Sequence, residues 1–342
     1  MPAQESILSE RFDIDGMTVT SGGWSEQQGV IRARVLDKMR SGHYGWETTP
    51  CYCGSRDVEP ISRIDKHCIP VSIVVCRKCG LIFQSPRLGQ EALAEFYREE
   101  YRELYNPGFQ GCEAVYRANL DRSEECRRIL TSLPEKPELV YEVGAHFGAL
   151  MQAFREAGCE VAGTDYDESG MAFAREGLGL DNALVGPSSA LLGLGRQADL
   201  LIYIHVLEHI NDLDAELSMA RRLLRDGGRL YLSVPGAVAW AAKKGGMILN
   251  TLQLAHTWYF TLDHLAYVAE RNGFYLESGN EMVEAVFRKG SVPERPVSAP
   301  DKYATVVGEL RAMDKAWRRA TRPRPVRAFV GRVLRKFGLR RS

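Results

Sequence analysis

The stretch that most constrains this chain is Leu139-Val-Tyr-Glu-Val-Gly-Ala-His-Phe-Gly-Ala-Leu-Met151, with Val161-Ala-Gly-Thr-Asp-Tyr166 about twenty residues later. Leu139 to Val143 is β-branched, aromatic and apolar, the pattern of a buried parallel strand. Gly144 and Gly148 frame a tight turn in which a side chain would keep a ligand away from the backbone. From Ala149 onward, Leu150, Met151 and Phe154 fall at helical spacing, and Gly158 stands where a helix stop is expected. The next apolar run ends in Asp165, at the distance where a carboxylate can accept hydrogen bonds from two ribose hydroxyls. A dinucleotide-binding turn would carry glycine at position 146 so that a pyrophosphate could touch the backbone. His146 stands there instead, so the corner suits a nucleoside without a diphosphate.

Glu-x-Gly-x-x-x-Gly with a downstream Asp resembles the first motif of class I S-adenosylmethionine-dependent methyltransferases. Three later segments fall in the order that this family shows. They are Ala198-Asp-Leu-Leu-Ile-Tyr-Ile-His-Val-Leu-Glu-His-Ile210, Leu223-Leu-Arg-Asp-Gly-Gly-Arg-Leu-Tyr-Leu-Ser-Val-Pro235 and Ala269-Glu-Arg-Asn-Gly-Phe274. The resemblance implies an α/β fold with a Rossmann-like, seven-stranded sheet. It places Glu142, Gly144 and Gly148 around the methionine part of the cofactor and Asp165 on its ribose. Ala145 and His146 in the turn, with Tyr166 and His205 at neighbouring strand ends, complete the expected cofactor shell. Ligands of open α/β sheets sit outside the carboxyl ends of the strands, where strand order reverses.

Upstream lie Cys51-Tyr-Cys53-Gly54 and Cys76-Arg-Lys-Cys79-Gly80, the pairs separated by 22 residues. Four thiolates in two close pairs can surround a tetrahedral Zn²⁺, and a small segment with little core gains folding energy from the metal. A glycine after each pair suits a knuckle that turns its amides toward sulfur. The first pair is one residue shorter than the usual Cys-x-x-Cys, and His67 and Cys68 offer alternative ligands. With four protein ligands the zinc is structural. Cys112, Cys126 and Cys159 show no pairing and read as small apolar residues. The knuckle, the Gly80-Leu-Ile-Phe83 strand, the Ser85-Pro-Arg87 turn and a helix carrying Phe96, Tyr97 and Tyr101 resemble the N-terminal zinc-binding region of bacterial sugar and surface-polysaccharide methyltransferases. The resemblance runs from about Cys51 to Phe287.

Methyl transfer from a sulfonium is an in-line displacement that needs a positioned nucleophile and, for a hydroxyl or carbon acid, a base. His209 and His256 are the candidate bases, His205 lying beside the cofactor. In nucleotide-sugar C-methyltransferases, histidines stand at the positions of His209 and His256, and a Tyr and a Glu precede the latter. Gln253 and Ala255 replace that pair here, which favours O-methylation of a nucleotide sugar or of a lipid-linked or surface glycan. C-methylation of a nucleotide deoxysugar, RNA methylation and a non-catalytic cofactor-binding scaffold are the competing readings. Glycine- and alanine-rich residues 235–254, with Lys243 and Lys244, read as a lid, a basic contact or a plain insertion.

Lys plus Arg and Asp plus Glu balance at 44 each, so no global field steers the chain to nucleic acid. The N-terminus shows no secretory pattern, and a cytoplasmic location is expected. The neutral total hides a basic C-terminus. Within 325–339, Val326, Phe329, Val330, Val333, Leu334 and Phe337 share a helical face among Arg327, Arg332, Arg335 and Lys336. Such a helix suits an anionic membrane surface, here the inner face, or docking on the catalytic domain. The expected organisation is a helical or flexible segment over 1–45, a zinc-binding domain over 46–105 and a methyltransferase domain over 106–290. Linker and basic helix follow over 291–342. Deleting 311–342 should reduce co-sedimentation with anionic vesicles while cofactor binding persists; undiminished sedimentation would reject the membrane role.

Overall fold

The computed structural model describes residues 8, 25–105, 107, 113–243 and 248–321. The basic stretch 325–339, Cys112 and Lys244 lie outside the described residues. In chain order the N-terminal part contains α1 (Glu26–Arg40), β1 (Trp46–Glu47), β2 (Val58–Ile64), β3 (Pro70–Cys76), β4 (Ile82–Gln84) and β5 (Arg87–Leu88). Helix α2 (Gln90–Phe96) then runs through a π-helical turn at Tyr97–Tyr101 into α3 (Arg102–Tyr105). The catalytic half follows as α4 (Glu113–Ala118), α5 (Ser123–Thr131), β6 (Leu139–Val143), α6 (Ala149–Glu156), β7 (Glu160–Asp165), α7 (Glu168–Leu178), β8 (Ala183–Val185) and β9 (Ala198–Ile204). It continues through α8 (Leu213–Leu223), β10 (Leu224–Ser233), α9 (Ala239–Lys243), β11 (Trp258–Tyr259), α10 (Leu262–Arg271), β12 (Phe274–Gly279), β13 (Glu284–Lys289) and α11 (Tyr303–Thr321).

Seven strands form one sheet in the order β12-β13-β10-β9-β6-β7-β8. Pairings from β8 through β10 are parallel, and β13 runs antiparallel between β10 and β12. Strand order therefore reverses between β6 and β9, and the carboxyl ends of β6, β7 and β9 face one crevice. The central strands are apolar because helices cover both faces: all five residues of β6 are buried. The helix expected from Ala149 is α6, with Leu150, Met151 and Phe154 buried, and it stops at Gly158. The expected break at Gly273 likewise separates α10 from β12.

The cysteine-bearing region forms a four-stranded antiparallel sheet in the order β11-β4-β3-β2. Its edge strand β11 comes from the insertion after β10, not from the N-terminal region. That insertion leaves the large sheet: Lys66 N donates to Leu252 O at 2.9 Å, and Leu252, Leu254 and Ala255 join the core beneath α1 and β3. A second core runs without interruption from Cys51, Cys76, Leu81 and Phe83 through Trp258 and Phe260 to Tyr141, Tyr203 and Leu207. The two sheets are thus one packed unit, and the insertion is the joint. Helix α11 buries Val306, Val307 and Leu310 against the N-terminal part, where Lys302 N donates to Cys79 O at 3.2 Å.

Among the described residues no helix is long and apolar enough to cross a membrane.

Candidate active site

The corner between β6 and β7 is held by its own backbone. The amides of Gly144 and Ala145 both donate to Thr164 O, at 2.8 and 2.9 Å. Asp165 accepts from His146 N through Oδ2 and from Asp167 N through Oδ1, each at 2.8 Å. Gly144 has φ +79°, and a Cβ there would stand 2.3 Å from a methyl of Val206, so only glycine fits. Two histidines at the crevice adopt left-handed backbone conformations, His146 at φ +52° and His205 at φ +55°. Such strain costs about 1–3 kcal/mol and concentrates at functional sites. Here His146 N is fixed by Asp165, and His205 N donates to Ser233 O at 2.8 Å.

Glu142 is 7% exposed, and its Oε2 has no hydrogen-bond partner among the described residues. Burial pushes its carboxyl up to about 8. An orphaned acidic oxygen beside a glycine turn fits a ligand that brings positive charge, as the amino-acid end of the cofactor would. Arg102, from the helix that crosses the crevice, pairs with Asp167 and places its second nitrogen 3.3 Å from Asp165 Oδ1. That is the longest contact on Asp165, hence the one a ribose diol would displace. Tyr166 follows Asp165 and is 71% exposed, offering a ring face at the crevice.

Across the crevice, β9 ends in a turn bearing His205, Glu208 and His209. Glu208 is buried, with His205 Nδ1 at 3.6 Å and His209 Nε2 at 3.7 Å. The insertion adds His256, whose ring lies 4.6 Å from that of His209 at 78°. Thr257 N donates to Glu208 O at 2.9 Å, tying insertion to turn. Tyr97 and Tyr101 set their rings 5.6 and 5.7 Å from His209, edge to face. Burial pushes the pKa of His209 down and, with His209 facing it, that of His256 well down, so both are neutral near pH 7. For His205 burial is outweighed by Glu208, which raises it. The histidines expected to act are therefore gathered at one point from two distant segments.

The four cysteines also converge. Cys51 and Cys79 sulfurs are 3.6 Å apart, as are those of Cys53 and Cys76, and all four lie within 4.8 Å of one another. A tetrahedral ion with bonds of about 2.3 Å needs sulfurs about 3.75 Å apart. The neighbouring sulfurs of Cys76 and Cys79, and then burial, push the Cys51 thiol far up, so the set can be fully ionised only around a cation. Gly54 and Gly80 take φ +84° and +85° at the two turns. The short first pair is accommodated because Gly54 N reaches back to Cys51 O at 2.7 Å. His67 and Cys68 are not part of this set; they pack in the core beneath α1. Cys126 and Cys159 are buried in apolar surroundings, as expected of them.

Sequence reasoning passed over Glu208, Arg102 and His264. Arg102 carried no local signal, its partner Asp167 being 65 residues away, and the role of Glu208 rests on His256, 48 residues away, as well as on its neighbours His205 and His209. His264 holds the knuckle, its Nε2 lying 2.9 Å from Cys79 O while Nδ1 meets Thr261 Oγ1 at 2.7 Å. The Thr-x-x-His spacing at a helix start was its readable sign. A separate cavity of about 300 Å³, bordered by Glu135, Lys136, Asp199 and Arg229, opens at the amino ends of the strands, away from all of these residues.

The raised carboxyl of Glu142 has a consequence for stability. The native state keeps its proton up to about pH 8, whereas the unfolded chain ionises near 4.5. Its contribution is full below 4.5 and is lost as pH rises through about 8. Glu142→Gln should therefore gain thermal stability relative to wild type across that window, by thermal melts at successive pH values. A difference in Tm that is flat over the window would contradict the burial of an unpaired carboxyl.

Residues 116–278 match the family model described as a methyltransferase domain. A ubiquinone biosynthesis O-methyltransferase of a Ruegeria species is 24% identical over 200 residues, 55% of this chain and 81% of that protein. The protein of the same description from Dinoroseobacter shibae is 28% identical over 182 residues, 50% and 69% of the two chains. Among solved structures, a Burkholderia thailandensis 1,6-didemethyltoxoflavin-N1-methyltransferase with S-adenosylhomocysteine overlaps at a TM-score of 0.44 and 19% identity, covering 62% of this chain and 96% of that one. Mitomycin 7-O-methyltransferase overlaps at 0.42 and 19%, covering 58% and 60%. The fold assignment stands on the strand order, not on these overlaps. Residues 116–278, just under half of the chain, form a methyltransferase domain, and the chain is a methyltransferase.

Proposed function

We propose that this enzyme methylates a hydroxyl oxygen of a small acceptor, a sugar carried as a nucleotide sugar or within a lipid-linked or surface glycan. The observation that carries the oxygen assignment is the Glu208–His209–His256 cluster across the crevice from Asp165. The acceptor's O–H gives its proton to a neutral imidazole, His256 or His209. Its oxygen attacks the methyl carbon, and the C–S electron pair stays on sulfur as S-adenosylhomocysteine is released. Glu208, 3.7 Å from His209 Nε2, stabilises the imidazolium formed. Glu142, the 144–148 turn and Asp165 hold the cofactor's amino-acid end and ribose, and Arg102 moves off Asp165 onto Asp167 alone. No acid/base pair is offered by Gln253 and Ala255, which supports oxygen over carbon as the methylated atom.

A phenolic acceptor is the second reading. The rings of Tyr97 and Tyr101 beside His209 suit an aromatic face, and the relatives named above are O-methyltransferases of ubiquinone biosynthesis. Turnover of labelled methyl donor against nucleotide sugars, glycolipids, phenols and RNA separates these classes. Label in a sugar hydroxyl supports the first reading, and label only in phenols or RNA rejects it. Asp165→Ala should weaken S-adenosylhomocysteine binding about tenfold or more by isothermal titration, since it removes a charge-assisted bond to the ribose. Unchanged affinity would remove the ribose role.

The Cys51, Cys53, Cys76 and Cys79 set is proposed to hold one structural Zn²⁺, leaving no open position for substrate. Metal analysis should find that zinc bound to the chain and lost from Cys76→Ser/Cys79→Ser. Retention of zinc in the double variant would refute the assignment.

A further inference from the structure

The turn after β9 holds a charge problem that base catalysis alone leaves unsolved. Glu208 is 2% exposed, and neither carboxylate oxygen has a hydrogen-bond partner among the described residues. Nδ1 of His209 lies 3.1 Å from Ala255 O. A carbonyl only accepts, so Nδ1 carries the ring proton and Nε2 presents its lone pair to Glu208 Oε1 at 3.7 Å. Two lone-pair donors facing each other in a buried site repel unless a proton or a metal ion lies between them, and the ring of His205, 3.6 Å from Glu208 Oε1, lies on the outer side of the pair. His256 brings a third donor: one ring nitrogen of each histidine and a Glu208 oxygen all lie within 4.8 Å of one another. The two imidazole planes stand at 78°, so their lone pairs can converge without stacking.

We propose that Glu208, His209 and His256 bind one divalent transition-metal ion, to which the acceptor's hydroxyl oxygen coordinates. This rests on the reading of the pocket as the acceptor's site. Two imidazoles and a carboxylate select iron, cobalt, manganese or zinc over magnesium or calcium. With bonds of about 2.1 Å, donor atoms around a tetrahedral ion stand about 3.4 Å apart; the His209–Glu208 separation of 3.7 Å closes by a few tenths, and those to His256, within 4.8 Å, close by side-chain rotation on binding. The Nδ1 bond to Ala255 O is the outer-shell contact that fixes a metal-binding imidazole's tautomer. Three protein ligands leave positions open, unlike the closed cysteine set. With their lone pairs on the ion, His209 and His256 no longer serve as the base; an oxygen on the ion ionises more readily, and its proton passes instead to His205, half-exposed at the rim. Its attack on the methyl carbon then proceeds as above.

The test uses the full chain with zinc in the cysteine set, titrated with Co²⁺ and followed by absorption and metal analysis. One Co²⁺ per chain should bind with visible bands and no thiolate-to-cobalt band in the near ultraviolet. Glu208→Gln and His256→Ala should each weaken it at least about tenfold, with zinc content and S-adenosylhomocysteine binding retained. No uptake by wild type, a thiolate band, or unchanged affinity in both variants overturns the proposal. If the variants lose zinc and fold, pulsed EPR of Cu²⁺ bound to wild type decides: imidazole nitrogen coupling supports the site, and its absence overturns it. Chelated enzyme that still transfers methyl, dependent on His256, overturns the metal and leaves the base reading standing. Cobalt bound at this site with no oxygen acceptor methylated supports the metal and removes the acceptor reading.

Discussion

Two backbone amides converging on one carboxylate, His146 N and Asp167 N on Asp165, hold the corner on which the active site is built. They use one lone-pair direction on each oxygen and leave others facing the crevice, so the carboxylate is fixed before any ligand arrives. The same bonds keep His146 in its left-handed conformation and hold the glycine turn open beneath Val206. Such an arrangement lowers the ordering cost of the binding proposed here, since the groups assigned to the ribose are already in place.

The insertion after β10 carries the other half of the site. Backbone bonds run from Thr257 N to Glu208 O and from Gln84 N to Thr257 O, both at 2.9 Å, linking the turn after β9 to the cysteine-bearing sheet through one segment. Asn211 reinforces the link through Thr257 Oγ1 at 2.9 Å and Leu88 O at 3.0 Å. The cysteine knuckle stands behind this relay, with Cys76 and Cys79 packed in the same core as Trp258 and Phe260. Loss of the knuckle would therefore reach His256 through packing, although no cysteine touches the crevice. The small domain serves as the wall against which the acceptor side of the site is braced.

How much of this was legible follows from the range of the interactions. The β6–α6–β7 corner could be read because its strand, turn, helix and carboxylate are consecutive and each has a local signature. The convergence of the four cysteines could be read because two close pairs, each followed by glycine, are a local signature even with one pair shortened. Pairing of β11 with β4 could not, since two residues at an edge carry no periodicity and Trp258 pairs with Phe83, 175 positions away along the chain. For the same reason His209 and His256 were legible as candidates but not as neighbours. Glu208 lies between two histidines in sequence, and its importance arises from burial without a hydrogen-bond partner, which only the fold reveals.

The adenosine-bearing sulfonium is proposed to sit in the β6–β7 corner with its methyl directed at the cluster on the turn after β9. A crystal structure grown with S-adenosylhomocysteine tests it most directly. The account predicts ribose hydroxyls on Asp165, Arg102 withdrawn to Asp167, and the sulfur facing His205, His209 and His256. Cofactor density elsewhere, or an unfilled corner at saturating ligand, would contradict it.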